Sequence, residues 1–415
     1  MVDSSGNNLV FLLCTPRSGS SLATVMLQNH SRLFATQEMW FLMSLRDLQS
    51  PQRRAYGGTG ILNQFYNGVL PQHAFEEACR SFASRVYNGL LQSCAGAEMV
   101  IDKSPRYYYL LEFLDALFPR SKRIWLIRNP FAVLSSYKKV SGQRGTSFNL
   151  MNDLRASAFD MKVADLTIGL FRYFRYFAAQ NNPYAHRLSY ERLVTDPKEQ
   201  LSEVCRFLGV AYEEGMEAYG NYRHSPKSDL YYSMGVGDPF VANHTEPNQA
   251  SVHIWKEVLD KQEIDMYGRA LGARIFHDLG YGEQLAEAER LTGVRFEQEP
   301  DEELLALCAK RLSDATGCRW ESDYGMRTDP GATWNGMEPE RSEDERWLSP
   351  EVLQLQMTVR MLEKRLANSA GEQEQLKSQL NAMRGKANRL KTIIPFGDRL
   401  SRLASAYLAH GGWKK

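Results

Sequence analysis

The chain has 415 residues, of which 43% are hydrophobic and 24% are charged, and its formal net charge is +1. This length exceeds that of a usual single domain, so we expect one large globular domain with appendages. The balanced charge gives no support for binding to nucleic acid. No stretch of about 18 apolar residues could form a transmembrane helix, and the N-terminus lacks the pattern of a signal peptide. We therefore expect a cytoplasmic protein.

The first element is an apolar strand at Leu9–Leu13, followed by the loop Thr15-Pro-Arg-Ser-Gly-Ser-Ser-Leu22 and a helical pattern. A loop of small residues before a helix N-terminus forms an anion cradle, because the free amides of the first helical turn point at the ligand. Gly19 allows close backbone approach. The loop also supplies a fixed positive charge and two hydroxyl groups, from Arg17, Ser20 and Ser21. An ordinary serine-capped turn is the alternative interpretation.

The loop is not a Walker A sequence. It lacks the second glycine and the Gly-Lys-Ser/Thr ending, which disfavours nucleotide triphosphate hydrolysis.

Further apolar strands alternate with helical patterns along the chain. Strands are expected at 33–36, 99–103, 123–127 and 186–190. This alternation predicts an α/β fold with a doubly wound parallel sheet covered by helices on both faces. In such sheets the ligand lies at the carboxyl ends of the strands.

Two motifs follow the later strands. Arg128-Asn-Pro ends the fourth strand, and Ser136 lies eight residues further on, inside the next helix. An arginine and a hydroxyl group in this arrangement suit a second phosphate, although Arg128 could also be a salt-bridged strand terminus. Tyr190, in Tyr-Glu-Arg-Leu, ends the fifth strand and could lie against a purine or in the core.

The composition changes after residue 283. The segment 284–346 is predicted to be an acidic spacer or small subdomain, since 297–346 holds fourteen Asp and Glu against six Lys and Arg. Apolar positions then recur every three or four residues through 352–394, which predicts a coiled coil over 347–394 and a homo-oligomer. A single helix packed on the main domain is the alternative. The basic amphipathic tail, 395–415, could contact a membrane surface or stay solvated.

In combination and in this order, the motifs resemble the sulfotransferase family over about residues 8–280. That family has a P-loop-like fold and uses 3′-phosphoadenosine-5′-phosphosulfate (PAPS) as donor, leaving 3′-phosphoadenosine-5′-phosphate (PAP). The resemblance implies transfer of a sulfuryl group to a hydroxyl or amine of a carbohydrate, lipid or secondary metabolite, without a metal. Leu22 replaces a tryptophan, Phe131-Ala132 an acidic residue and Arg17 a lysine of the cytosolic members. These departures favour the branch of carbohydrate and bacterial natural-product enzymes.

The resemblance also implies roles for individual residues. The 5′-phosphosulfate would be held by Arg17, Ser18, Gly19, Ser20, Ser21 and Leu22. Arg128 and Ser136 would bind the 3′-phosphate, and Tyr190 would approach the adenine. The family's C-terminal cofactor loop and its following Trp-Lys pair would correspond to Gly235, Gly237, Trp255 and Lys256.

Three residues are candidates for the chemistry. Arg17 would stabilise the leaving oxygen, and Lys103, in Asp-Lys-Ser-Pro, would lie near the transferring group. Glu38 occupies the place of the catalytic glutamate of carbohydrate-type members and is the preferred base. In the alternative, Glu38 is an exposed strand-end carboxylate and Lys103 a surface lysine. Weaker candidates for the base are His30, His224 and His244.

Two other functions compete with sulfuryl transfer. A nucleotide phosphotransferase could use the same fold, although the Walker lysine is missing. A coiled-coil scaffold could carry a degenerate nucleotide domain, although the motif residues are intact. The acceptor is not specified by the sequence; the loop at 50–68 and the segment 144–160 are expected to shape its pocket.

Overall fold

The structure is a computed structural model. It describes residues 1–328 apart from 51–56, 95, 144, 157, 180, 221–226, 228–246, 319 and 322, together with scattered positions between 362 and 399. The chain divides into two compact units, 1–350 and 351–415.

The first unit is built on a five-stranded parallel sheet. Its strands are β1 (Leu9–Leu13), β2 (Leu33–Ala35), β3 (Met99–Lys103), β4 (Lys122–Ile127) and β5 (Ala185–Ser189). Their order across the sheet is β2-β3-β1-β4-β5, and each neighbouring pair is parallel. The carboxyl ends of β1, β3 and β4 therefore meet at one edge, where the predicted motifs begin.

Strands β1 to β3 and nearly all of β4 are buried, as expected for a parallel sheet, while the edge strand β5 is only partly buried. Val10 and Leu12 belong to one core cluster, which also contains Leu201 and Leu208 of a covering helix. Phe11, between them, points to the other face and packs against the ring of Phe118 at 6.2 Å. The predicted doubly wound α/β fold is therefore confirmed.

Helices surround the strands. Those in the first part of the chain are α1 (Ser20–Gln28), α2 (Phe41–Arg46), α3 (Thr59–Gln64), α4 (Gln72–Gln92), α5 (Leu111–Leu117) and α6 (Pro130–Gln143). They continue with α7 (Leu150–Arg155), α8 (Met161–Ala164), α9 (Leu170–Tyr176), α10 (Tyr190–Thr195) and α11 (Pro197–Leu208). Gly209, with a φ of 82°, ends α11, as glycine at a helix C-terminus often does.

Two stretches differ from the sequence prediction. The expected loop at 50–68 contains α3, which continues as a short π-helix at Phe65–Val69. The pattern over 150–180 indicates one long helix, but the structure has α7, α8 and α9 there, with a π-helical turn at Asp165–Gly169. Such turns occur often at functional sites.

The region beyond residue 247 is helical as well. It contains α12 (Ala250–His253), α13 (Trp255–Val258), α14 (Lys261–Leu271), α15 (Ala273–Asp278), α16 (Gly282–Thr292) and α17 (Glu302–Thr316). The side chain of Leu312, in α17, is buried, and Arg311 donates to the carbonyl oxygen of Leu154 at 2.8 Å. Part of the predicted acidic spacer therefore packs against the rest of the first unit. The domain boundaries at 283, 346 and 394 stay predictions.

In the second unit, the described positions between 362 and 381 are helical and exposed. They include four leucines of the predicted seam: Leu362, Leu366, Leu376 and Leu380. The coiled coil and the basic tail stay predictions. None of the helices in the described ranges is both long and apolar enough to span a membrane.

Candidate active site

The loop between β1 and α1 adopts the geometry of an anion cradle. Gly19 precedes α1 with a φ of 94°, a conformation that other residues adopt only with strain. A Cβ at this position would overlap the ring of Tyr190. Helical bonding starts with the amide of Ala23, which donates to the carbonyl oxygen of Gly19. The first turn of α1 thus has backbone amides that lie outside the helical hydrogen-bond pattern, as at other helix N-termini.

The two predicted phosphate sites lie against each other. Arg17 Nε donates to Ser136 Oγ at 3.1 Å, which joins the β1 loop to α6. Arg128 Nη1 donates to the carbonyl oxygen of Arg17 at 2.9 Å. Residues that are more than 100 positions apart therefore form one positively charged surface at the carboxyl edge of the sheet.

Tyr190 completes this surface beside Arg128. The guanidinium carbon of Arg128 lies 4.1 Å from the centre of the Tyr190 ring, and Tyr190 Oη hydrogen-bonds Ser251 Oγ at 2.7 Å. Arg128 Nε is buried and has no hydrogen-bond partner among the described residues. A buried donor without a partner is costly, so this atom fits a site that receives an anion.

Glu191 was not singled out by the sequence, yet it ties two motifs together. Its Oε1 accepts from the backbone amide of Asn129 at 2.9 Å, and its Oε2 accepts from Tyr281 Oη at 2.7 Å. The residue after Tyr190 therefore holds the residue after Arg128. The motif Tyr-Glu-Arg-Leu contained this signal, since an acidic residue follows the tyrosine directly.

Glu38 and Lys103 form an ion pair at the ends of β2 and β3. Lys103 Nζ lies 3.3 Å from Glu38 Oε1, and the lysine side chain is fully buried while the glutamate is 32% exposed. Trp40 Nε1 donates to the other carboxylate oxygen, Oε2, at 3.2 Å. Glu38 is thus held by two donors, and Lys103 is not the surface lysine of the alternative interpretation.

A cavity of about 260 Å³ connects the loop with Glu38. It is lined by polar and aromatic groups from the loop, from the ends of β2 and β3 and from α6, and these include Arg17, Ser20, Glu38, Trp40, Arg106, Tyr137 and Lys162. Arg17, Trp40 and Arg106 all have positive φ angles without being glycine. Strained backbone of this kind clusters at functional sites.

Arg106 lines the cavity, and its side chain is bound by Asp165. Two nitrogens of its guanidinium donate to the Asp165 carboxylate, at 2.9 and 2.8 Å. Tyr108 Oη and Tyr137 Oη donate to the same carboxylate at 2.8 and 2.6 Å. Burial raises the pKa of Asp165, while the Arg106 guanidinium opposes that rise. Trp40, Arg106 and Asp165 were all missed by sequence reasoning.

Two of the predicted donor-binding residues, Trp255 and Lys256, make contacts with other protein groups. Trp255 is fully buried and stacks on Phe131, with ring centres 5.2 Å apart. Lys256 pairs with Glu287 at 3.2 Å. Their predicted roles gain no support from these contacts. Gly235 and Gly237 lie outside the described residues.

The remaining candidates from the sequence are Ser18 and three histidines. Ser18 is buried and its hydroxyl bonds Thr15 Oγ1 at 3.1 Å, so it supports the loop from behind. His30 is buried, with Nε2 at 2.8 Å from the carbonyl oxygen of Ala211, which does not suit a base. The other two histidine candidates, His224 and His244, fall in the part that is not described. Burial raises the pKa of the Cys14 thiol, beside the loop, to about 12.

These features define a class of protein: an α/β protein whose first loop has the geometry of an anion cradle and contacts α6, with a carboxylate across the cavity. Within the described ranges, no group of three or more His, Cys, Asp or Glu is arranged to hold a metal ion.

The family model described as "Sulfotransferase family" matches residues 10–214. Residues 10–214 therefore form a domain of the sulfotransferase family, and the protein is an enzyme that transfers a sulfuryl group. The matched range contains the β1 loop, Glu38, Lys103, Arg128, Ser136 and Tyr190. The phosphotransferase and scaffold alternatives are not favoured.

The chain is also similar to individual relatives and to solved structures. The chain is 27% identical over 292 residues to nodulation protein NoeE of Sinorhizobium fredii, which covers 68% of this chain and 67% of the relative. Among solved structures, it is similar to the sulfotransferase domain of the Synechococcus PCC 7002 olefin synthase, with a TM-score of 0.41, 23% identity and coverage of 62% and 92%. A sulfotransferase domain from the curacin biosynthetic pathway has a TM-score of 0.41, 22% identity and coverage of 62% and 95%.

Proposed function

We propose that this sulfotransferase takes its sulfuryl group from PAPS and passes it to a hydroxyl or amine of a carbohydrate, lipid or secondary metabolite. The observation that carries the proposal is the hydrogen bond of Arg17 Nε to Ser136 Oγ. It places the loop that suits one phosphate group next to the helix that suits a second. A donor that carries one phosphate group at the 5′ position and another at the 3′ position of the same ribose matches this pair of sites.

The residues present fit such a donor. The loop amides before Ala23 and Arg17 would hold the 5′ side, while Arg128, with its buried unpartnered Nε, and Ser136 would hold the 3′-phosphate. Tyr190 offers an aromatic face, although Arg128 already covers one side of its ring. Solved structures of two other sulfotransferase-fold proteins, mouse sulfotransferase SULT7A1 and retinol dehydratase, contain PAP.

Glu38 would act as the general base. In the transfer, the bond from sulfur to the phosphate oxygen breaks, a bond from sulfur to the acceptor oxygen or nitrogen forms, and the acceptor's proton passes to the carboxylate. Arg17, and Lys103 through its position beside Glu38, would stabilise negative charge on the departing oxygen. Catalysis of this kind depends on positioning and electrostatics.

Calorimetry and label transfer test the proposal together. PAP should bind tightly to the purified protein and ATP should bind at least tenfold more weakly, because ATP has no 3′-phosphate for Arg128 and Ser136. Incubation of [³⁵S]PAPS with lysate fractions should then label the acceptor. Equal affinity for the two nucleotides would contradict the donor assignment.

Glu38→Gln separates binding from chemistry. This variant keeps the size of the side chain and should bind PAP like the wild type while losing transfer. Transfer at the wild-type rate would show that another group accepts the proton.

We also propose a homo-oligomer through the segment 352–394. The four exposed seam leucines lie on described helical positions at spacings of four and ten residues, which fit one heptad face. A row of exposed leucines on a helix is stabilised by burial against a second copy of the same row.

A further inference from the structure

Trp40 has a backbone conformation that needs an explanation. Its φ is 58°, in the left-handed region, which costs a bulky residue about 1–2 kcal/mol. Residues persist there only when their surroundings fix them. Two contacts do so here: the hydrogen bond from its indole nitrogen to Glu38 Oε2 at 3.2 Å, and the guanidinium of Arg106, 5.8 Å from the ring centre.

Arg106 is itself fixed. Its φ is 74°, and its guanidinium grips the fully buried Asp165 with two nitrogens. Because Tyr108 and Tyr137 donate to the same carboxylate, Asp165 is anchored from three sides. Asp165 therefore fixes the position of Arg106, and Arg106 in turn contacts the ring of Trp40.

We infer that Trp40 is a positioning residue for Glu38, and that Arg106 and Asp165 hold it in place. Trp40 fixes Oε2 of the carboxylate while Lys103 fixes Oε1 at 3.3 Å. A carboxylate restrained at both oxygens keeps one orientation toward the cavity, which is what proton transfer from a bound acceptor requires. This inference rests on the proposed role of Glu38 as base.

Positively charged side chains surround Glu38. Lys103 faces the carboxylate from β3, and Arg17, Arg106 and Lys162 line the same cavity from the loop, from the end of β3 and from α8. The indole N–H of Trp40 is the neutral donor to the carboxylate, so its removal changes the orientation of Glu38 without changing the charge around it.

Trp40→Phe tests the inference, because phenylalanine keeps an aromatic ring beside Arg106 and loses only the N–H donor. The matched control is Trp320→Phe, which removes an indole N–H that bonds the carbonyl oxygen of Tyr109 at 3.0 Å. The assay is release of ³⁵S from [³⁵S]PAPS, with water as the acceptor. We expect Trp40→Phe to lower kcat about tenfold, the loss of roughly one hydrogen bond to a charged group. The KM for PAPS and the calorimetric affinity for PAP should stay within twofold of the control.

Hydrogen exchange of the ligand-free protein gives a readout that does not depend on turnover. Peptides covering 36–46 should exchange faster in Trp40→Phe than in the wild type, and Trp320→Phe should leave them unchanged. Equal exchange in both variants would overturn the inference, as would a raised KM with an unchanged kcat, which would make Trp40 a donor-binding surface.

A double variant distinguishes failure of this inference from failure of the proposed base. In Glu38→Gln, adding Trp40→Phe should cause no further loss, because the group that Trp40 positions is already inactive. If Glu38→Gln turns over normally, the base assignment fails and the inference fails with it. If Glu38→Gln is inactive but Trp40→Phe matches Trp320→Phe, the inference alone fails.

Discussion

Arg17 Nε donates to Ser136 Oγ at 3.1 Å, across 119 positions of sequence. The bond connects the carboxyl end of the central strand, β1, with the interior of the helix that follows β4. Loop and helix are therefore fixed relative to each other before any ligand binds, which lowers the entropy that donor binding must overcome.

The first prediction concerns affinity for PAP. Arg128→Ala should weaken binding by about 10- to 100-fold, since a charged hydrogen bond to phosphate contributes about 1.5–3 kcal/mol. Ser136→Ala should weaken it less, by up to about tenfold, because a neutral hydroxyl group is lost. Calorimetry measures both.

Ser135→Ala is the matched control for this pair. Ser135 is fully buried, and its hydroxyl donates to the carbonyl oxygen of Ala132 within the same helix. Its removal should leave PAP affinity unchanged. A similar loss in Ser135→Ala and Ser136→Ala would mean that α6 had been disturbed and that the hydroxyl of Ser136 does not bind phosphate.

The second prediction concerns Gly19. Gly19→Ala should destabilise the protein and impair PAP binding, because alanine both strains the backbone at a φ of 94° and overlaps the ring of Tyr190. Gly209→Ala is the control, since Gly209 has a φ of 82° with open space around it and suffers strain alone, about 1–2 kcal/mol. Urea denaturation should show the larger loss for Gly19→Ala.

A Tyr190→Ala background separates strain from overlap. In that background, Gly19→Ala should lower the free energy of unfolding by no more than Gly209→Ala lowers it in the wild type. If Gly19→Ala destabilises Tyr190→Ala as much as it destabilises the wild type, the overlap with Tyr190 contributes nothing.

The third prediction is a pH dependence of stability. Burial raises the pKa of Asp102 from its ordinary 3.8 to about 6, despite hydrogen bonds from Tyr87, Ser104 and Tyr107. Between these values the folded protein binds a proton that the unfolded chain does not. The free energy of unfolding therefore falls as the pH rises from about 4 to about 6, by up to about 3 kcal/mol.

Asp102→Asn supplies the reference for this measurement, because an amide does not ionise. The unfolding free energy of the wild type minus that of Asp102→Asn, from urea denaturation at several pH values, should decrease from pH 4 to pH 6. A difference that is constant or increases would contradict the prediction.

The fourth prediction concerns oligomerisation. Leu376→Glu combined with Leu380→Glu should lower the mass measured by light scattering, because charge would be buried in the predicted seam. Ser378→Glu adds charge at a described, exposed helical position outside the seam and should leave the mass unchanged. An unchanged mass in the leucine variant would favour a helix that does not mediate association.

The strands and the phosphate motifs could be predicted because each apolar run ends directly in its functional residues. Arg17 and Arg128 follow β1 and β4 within four residues and one residue, and parallel strands bring their carboxyl ends to one edge. No tertiary information was needed for that step. Glu38 and Lys103 follow the same rule at the ends of β2 and β3.

Trp40, Arg106 and Asp165 could not be predicted in the same way. Neither a tryptophan nor an arginine signals a left-handed backbone, since that conformation depends on the tertiary contacts that stabilise it. Asp165 lies where the periodic pattern of 150–180 predicted an unbroken helix, and the π-helical turn that carries it has no clear sequence signal. The donor-binding roles of Trp255 and Lys256 stay predictions, because their contacts with Phe131 and Glu287 do not test them.

The bonds that shape the site also bear on how the protein matures. Arg17 reaches Ser136 across 119 positions and is reached by Arg128 across 111, while Glu191 bonds Asn129 across 62. Contacts this distant in sequence form only after much of the chain has come together. During synthesis, a nascent chain that ends before residue 190 lacks the contact between the guanidinium of Arg128 and the ring of Tyr190. The chain therefore becomes able to bind the donor only late, once the whole sheet has formed. PAP would then stabilise completed chains and not partial ones, because it binds only the folded site.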